Sequence, residues 1–219
     1  MSDGAAPNPS TQNPSTIRTY GGVAGEQRTA ERRERLMASG LELLGSADDA
    51  GLTVRGVCKE SGLIARYFYE SFDDIDALAV ALHDQVITDL VAHALGRLGT
   101  AGADPDAQLR TGLEAIIEHL ADDPRRGRVL FVAPLTMPVL VARRPETVTM
   151  FAGLLRAQAT EFVDLSDSSF ETTARFLVGG FGEVLTSWQD GTLDVTQDEL
   201  VERCYVMFRG IVDAVAPPL

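Results

Sequence analysis

No stretch of this chain alternates apolar and polar residues with period two. That absence removes half-buried strands, because successive strand residues point to opposite faces of a sheet. Apolar residues instead recur three and four apart, punctuated by Gly, Pro, Asp and Ser, the pattern of capped amphipathic helices. Leu36, Gly40, Leu43 and Leu44 fall on one helical face, and Leu78, Leu82, Val86 and Leu90 on another. Asp190-Gly191 separates two helical patterns rather than two strands, and no repeat of solenoid length is present. The expected fold class is all-α.

Residues 1–25 are rich in Pro, Ser, Thr, Asn and Gly, cannot bury enough to repay ordering, and are expected to form a flexible arm. A first helix is expected from Glu26 to about Gly45, ended by Gly45 and by Asp48-Asp49-Ala50-Gly51. Thr53 is a natural cap for a short helix Val54–Ser61 with Val54, Val57 and Cys58 inward, and Gly62 stops it. A second short helix, Ala65–Ser71, buries Phe68; Asp73 or Asp74 then caps a long helix to about Arg97. Further helices are expected over Asp106–Ala121, Pro124–Ala133, Pro145–Val163, Ser169–Gln189 and Thr196–Val215, with a turn of helix near Met137–Ala142. Three divisions follow: an arm (1–25), a compact N-terminal unit (26–73) and a larger helical domain (74–219).

Apolar residues at 45% and charged residues at 23% are ordinary globular values. Cys58 and Cys204 make neither a disulfide framework nor a metal pair. The longest apolar stretch, residues 129–142, is broken by Pro134 and Pro138 and is too short to span a bilayer. No basic-then-apolar leader opens the chain, so the expected address is the reducing cytoplasm, with no membrane partner. The net charge of −13 has the wrong sign for a general nucleic-acid coat. Its distribution says more. Residues 18–70 balance eight cations, seven of them arginine, against eight acids, whereas residues 81–219 hold eleven against twenty. Arginine's planar fork suits phosphates and guanine edges.

The segment Val54–Ser61, Gly62-Leu63-Ile64 and Ala65–Ser71 has helix-turn-helix proportions, in which the second helix enters the DNA major groove. With Phe68 inward, Ala65, Arg66, Tyr67 and Tyr69 lie on or beside the outer face. Leu36 through Leu78 resembles the DNA-binding domain of the tetracycline-repressor (TetR) family of bacterial regulators. The likeness rests on Thr53-Val54-Arg55, Gly62-Leu63, Phe68-Tyr69-Glu70-Ser71-Phe72 and Leu78. It implies a homodimer that binds a near-palindromic, double-stranded operator, and a divergent helical domain that binds a small molecule and releases DNA. It also implies that Ala65, Arg66 and Tyr67 read bases, while Thr53, Arg55, Tyr69 and Ser71 sit at the backbone. Three positions depart from the family pattern: Ile75 in place of a phosphate-binding lysine, Ile64 at a usual serine cap, and Ser71 for a common histidine. Asp73, Asp74 and Asp76 add negative charge there. Arg18, Arg28 and Arg32 are candidates for a minor groove or else solvated residues of the tail.

Two late helices are apolar on most faces: one carries Leu177, Phe181 and Leu185, the other Tyr205, Phe208 and Val212. The resemblance makes them a four-helix dimer interface; an internal core is the other reading. Leu109, Leu113, Ile116, Ile117 and Leu120, then Phe131, Met137, Met150, Phe151 and Leu154, are candidate walls of an apolar pocket, with His119, Gln158 and Thr186 as its polar groups, although for any one of them plain core is the favoured reading. His83 and His93, ten apart on one helix, point roughly 80° apart and lie about 15 Å apart along the axis, so they share no metal. No nucleophile elbow, phosphate loop or dinucleotide fingerprint occurs, and no cofactor, metal or catalytic residue is expected. Two function classes remain: a ligand-responsive DNA-binding repressor, and a helical small-molecule carrier or sensor whose helix-turn-helix no longer grips DNA.

Overall fold

The computed structural model describes Met1 and residues 20–46, 51–159 and 167–215. Its helices are α1 (Tyr20–Gly45), α2 (Val54–Ser61), α3 (Ala65–Tyr69), α4 (Ile75–Leu98), α5 (Pro105–Asp122), α6 (Pro124–Gly127), α7 (Ala133–Thr136), α8 (Pro138–Ala159), α9 (Asp167–Gln189) and α10 (Gln197–Val215). A π-helical segment, Arg128–Val132, joins α6 to α7. No strand occurs among the described residues. The fold is all-α.

Local signals set most boundaries. Thr53 Oγ1 accepts from the Gly56 N–H at 3.1 Å and starts α2; Asp74 Oδ1 accepts from Ala77 N–H at 2.7 Å and starts α4. Thr196 and Glu199 satisfy each other's backbone N–H groups before α10, a reciprocal capping box. Gly62 stands at φ 67°, in the left-handed region that ends α2, and the Leu63 N–H returns to the Cys58 carbonyl. This reversal sets α3 across α2.

Two hydrophobic cores lie along α4. Leu36, Val57, Phe68 and Phe72 pack with Leu78 and Leu82 from its first half. Val86, Ile87 and Leu90 from its second half join Leu113, Ile117, Leu177, Leu185, Leu200 and Phe208. Arg143 of α8 grips both carboxylate oxygens of Asp84 at 2.9 and 3.0 Å, at the crossover between the cores. The short helices at 54–69 pack against α1 and share a core with the first half of α4, whose second half is embedded in the larger domain.

Three expectations need correction. α1 begins at Tyr20, so the stretch expected to be a flexible arm ends earlier; extending a packed helix outward needs no new nucleus. Residues 2–19, with Arg18, and the expected stop at residues 48–50 lie outside the described residues. Pro145 does not start a helix but lies inside α8, which absorbs the turn expected near Met137. It costs one helical bond to the Val141 carbonyl, on a residue exposed to water, which can replace it. The single helix expected over Pro124–Ala133 is instead α6 followed by the π-helical turn, just ahead of Pro134.

Candidate nucleic-acid interface and apolar cavity

α3 spans Ala65–Tyr69, two residues shorter than expected, and Phe68 is its fully buried anchor. Ile64 occupies the N-cap position without a side-chain hydrogen bond and is exposed. Burying Phe68 leaves Ala65, Arg66 and Tyr69 exposed on the opposite side, with Thr53 and Arg55 exposed at the start of α2 and Ser71 half-buried behind them. Arg66 is the most prominent, its side chain 80% accessible and its Nε 3.0 Å from Glu70 Oε1, one turn on. An exposed i,i+4 ion pair contributes little, so Arg66 is free to exchange that partner for another anion.

Tyr67 is less available than the sequence implies. It is half-buried, and the Arg32 guanidinium lies over its ring at 4.4 Å from the centroid. Arg32 also approaches Glu70 at 3.8 Å, while Arg33 covers the Phe72 ring at 4.2 Å and donates to the Ser71 carbonyl. Arg28 and Arg32 are thus on α1 and not on an extended arm, and Arg32 is committed to bracing α3. Ile75 is the first residue of α4 and packs into the N-terminal core. Asp74 uses its own carboxylate to cap that helix, and Asp73 and Asp76 are exposed beside it. The start of α4 therefore already holds an anion of the chain's own.

In the larger domain, α4, α5, α8, α9, α10 and the π-helical turn line a cavity of about 160 Å³ that is partly open to solvent. Phe131, Phe151, Phe181 and Phe208 supply its rings, and every lining side chain among the described residues is hydrocarbon. Phe131, Phe151 and Leu154 are in the wall as expected. Leu113 and Ile117 are not: they are buried in the adjoining core, whereas Ile116, also expected, does line the cavity. His119 lies outside it, its ring 5.1 Å from that of His93. The side chain of Gln158 lies outside the described residues, and Thr186 turns its hydroxyl to the Gly182 carbonyl at 2.9 Å. What sequence reading missed is α4, whose Leu90, Ala94 and Leu98 follow a four-residue spacing into the wall. That stripe was legible, but it was credited to the core alone.

Titratable groups in the interior are held neutral. Burial lowers the pKa of His83 and of His119, for His119 with help from the nearby Arg126 charge. Burial pushes the Cys204 thiol up to about 11, which keeps it protonated and unreactive at neutral pH. Among the described residues no group of three or more His, Cys, Asp or Glu is arranged to hold a metal, and no helix is long and apolar enough to cross a membrane.

The outer side of α9 and α10 differs from the one foreseen. Leu177, Leu185 and Phe208 are buried inside the protomer, and Phe181 stacks edge-on against Phe208 at 5.5 Å. Tyr205 is half-buried beneath the Arg110 guanidinium, and Val212 is half-buried as well. Of the apolar residues on α9, Phe176 (68%) is exposed, as are Val206 (58%) and Met207 (48%) on α10, with Gly179, Gly180 and Gly210 open to close approach. A helix that is apolar nearly all round has one side for its own core and one beyond it, and periodicity alone does not say which is which.

No protein-family model matches the chain. Solved structures do resemble it. The fatty acid degradation regulator FadR from Bacillus halodurans superposes with a TM-score of 0.68 at 13% identity, covering 82% of this chain and 95% of that one. A TetR-like transcriptional regulator from Rhodococcus sp. RHA1 gives 0.66 at 17% identity, over 83% and 96%. A TetR-family transcriptional regulator from Streptomyces coelicolor gives 0.65 at 18% identity, over 91% and 97%.

Proposed function

We propose that this chain, which has the TetR-like fold, is a cytoplasmic, ligand-responsive repressor that binds a near-palindromic operator as a homodimer and is released by a small apolar effector. One observation carries the reading. The exposed Ala65-Arg66-Tyr69 face belongs to a unit whose core includes Leu78 and Leu82 from the first half of α4, and the other half of α4 forms a wall of the apolar cavity. A molecule filling that cavity acts directly on that helix. The bracing of α3 by Arg32 and Arg33 supports the same view, since a helix offered to DNA needs its orientation fixed. The homodimer is assigned to the outer faces of α9 and α10, through Phe176, Val206 and Met207.

Such a dimer places two α3 helices about one DNA turn apart, near 34–36 Å, or a multiple of it. A ligand releases DNA only by favouring a shape in which that spacing is wrong, and operator DNA must then weaken the ligand by the same factor. The test is a gel shift on an inverted repeat upstream of the gene, repeated with ligand, beside ligand titrations with and without operator. Sequence-specific binding that reciprocally opposes ligand is the expected result. The carrier reading has its own support in the self-capped, acidic start of α4 and in Ile75 packed where a phosphate-binding lysine is usual. Ligand binding with no operator found by genome-wide selection would establish that reading instead.

A further inference from the structure

The size and lining of the cavity narrow its ligand to one chemical class. Its volume is about 160 Å³, and an apolar cavity of about 150 Å³ lined by Leu, Ile and Phe stays dry and accepts benzene. That leaves room for one aromatic ring with a small substituent. No lining side chain of the described residues carries nitrogen, oxygen or sulfur, and the nearby Thr186 hydroxyl is already donated to the Gly182 carbonyl. A polar group on the ligand would lose its water without gaining a partner. Four phenylalanines from four different segments surround the space, and Phe181 and Phe208 already meet edge to face, at 80° between planes. Aromatic rings prefer such partners. Phe131 stands on the π-helical turn and lies close over Gly182, where a Cβ would come within 3.2 to 3.3 Å of its ring and force it to shift. Leu95, at the rim on α4, is exposed and marks the entrance.

We propose that the cavity binds a compact, uncharged, single-ring arene that has no hydrogen-bonding group, such as an alkylbenzene or a halobenzene. This rests on the reading of the cavity as the effector site, and the test separates the two. Binding is measured on the full-length protein without DNA, by fluorine NMR with fluorobenzene as probe and toluene, phenol and naphthalene as competitors. One saturable site per chain is expected. Toluene should displace the probe, and phenol, its near isostere, should bind at least roughly tenfold more weakly, because its hydroxyl finds no partner among the lining side chains. Leu154→Phe, which takes up volume, should abolish probe binding. Phe151→Ala, which adds it, should move preference from toluene to naphthalene, a gain that a misfolded variant would not show. Absence of saturable fluorobenzene binding to folded wild-type protein, or equal affinity for phenol and toluene, would overturn the proposal. If the protein still binds an operator in that case, the regulator reading survives alone. Arene binding that leaves operator affinity unchanged upholds the ligand class and removes the effector role.

Discussion

At the residue scale, Glu70 lies between Arg66 and Arg32, and in the proposed regulator Arg66 is the side chain that reads DNA. Arg66→Ala is expected to weaken operator binding by roughly 1–3 kcal/mol and random duplex by much less, measured by anisotropy on both DNAs. Equal losses would make Arg66 a backbone contact. Glu70→Gln frees Arg66 and removes a negative charge from the outer face, so binding to any duplex should tighten. His83 and His119 set a second prediction. Burial lowers both pKa values, so the folded chain resists protonation more than the unfolded one does. Their contribution is fully present above the ordinary imidazole value of about 6.5 and is lost as pH falls through the lower folded values. The Asp123 carboxyl is also depressed, by its hydrogen bonds from Arg125, but acts only in stronger acid. Melting temperature should therefore drop between about pH 7 and 5.5, and His119→Gln should flatten the slope; an unchanged slope would show His119 to be uninvolved. Residue types at the candidate interface were legible in the sequence, whereas Tyr67 beneath Arg32 was not, because thirty-five positions separate a pair that only the fold brings together.

The elements were legible in proportion to how local their signals are. The caps at Thr53, Asp74 and Thr196, and the left-handed stop at Gly62, act within four residues and marked α2, α4 and α10 closely. Pro145 misled because Val141, whose carbonyl loses its partner, is exposed, and the rest of α8 is held by packing against its neighbours. The π-helical turn carries no sequence signal of its own beyond the neighbouring Pro134. Yet this stretch connects the first helix to the cavity. Arg125 of α6 is hydrogen-bonded to Asp123 and to Glu42 of α1, while four residues past α6 Phe131 enters the cavity. Filling the cavity can thus pull on α1 as well as on α4. Glu42→Gln should blunt ligand-induced release while keeping ligand-free operator affinity within about tenfold, a coupling worth up to a few kcal/mol. A full ligand response in that variant would confine the coupling to α4.

For the whole molecule, the exposed apolar face of α9 and α10 needs a cover, and a second copy is the proposed one. Light scattering should give twice the chain mass at micromolar concentration. Phe176→Arg or Val206→Glu should yield a folded monomer, because both residues are exposed in the protomer. Charges at Phe181 or Phe208 should instead unfold it, since those rings are part of its interior. A folded dimer from Phe176→Arg would place the interface elsewhere. That both helices were heavy with apolar residues was legible in the sequence; which side faced outward was decided by packing against α5 and the π-helical turn.

The position of α9 has one more consequence. Leu185 and Phe181 look into the cavity, while Gly179 and Gly180, less than two turns away, look out of the protomer. In the proposed dimer, the partition between the cavity and the neighbouring subunit would be one helix thick. In the dimer, a guest that displaces this partition on one side also reshapes the other, so the two compartments do not fill independently. The dose–response of operator release should then be steeper than a single-site curve, as a gate with two leaves hung on one post.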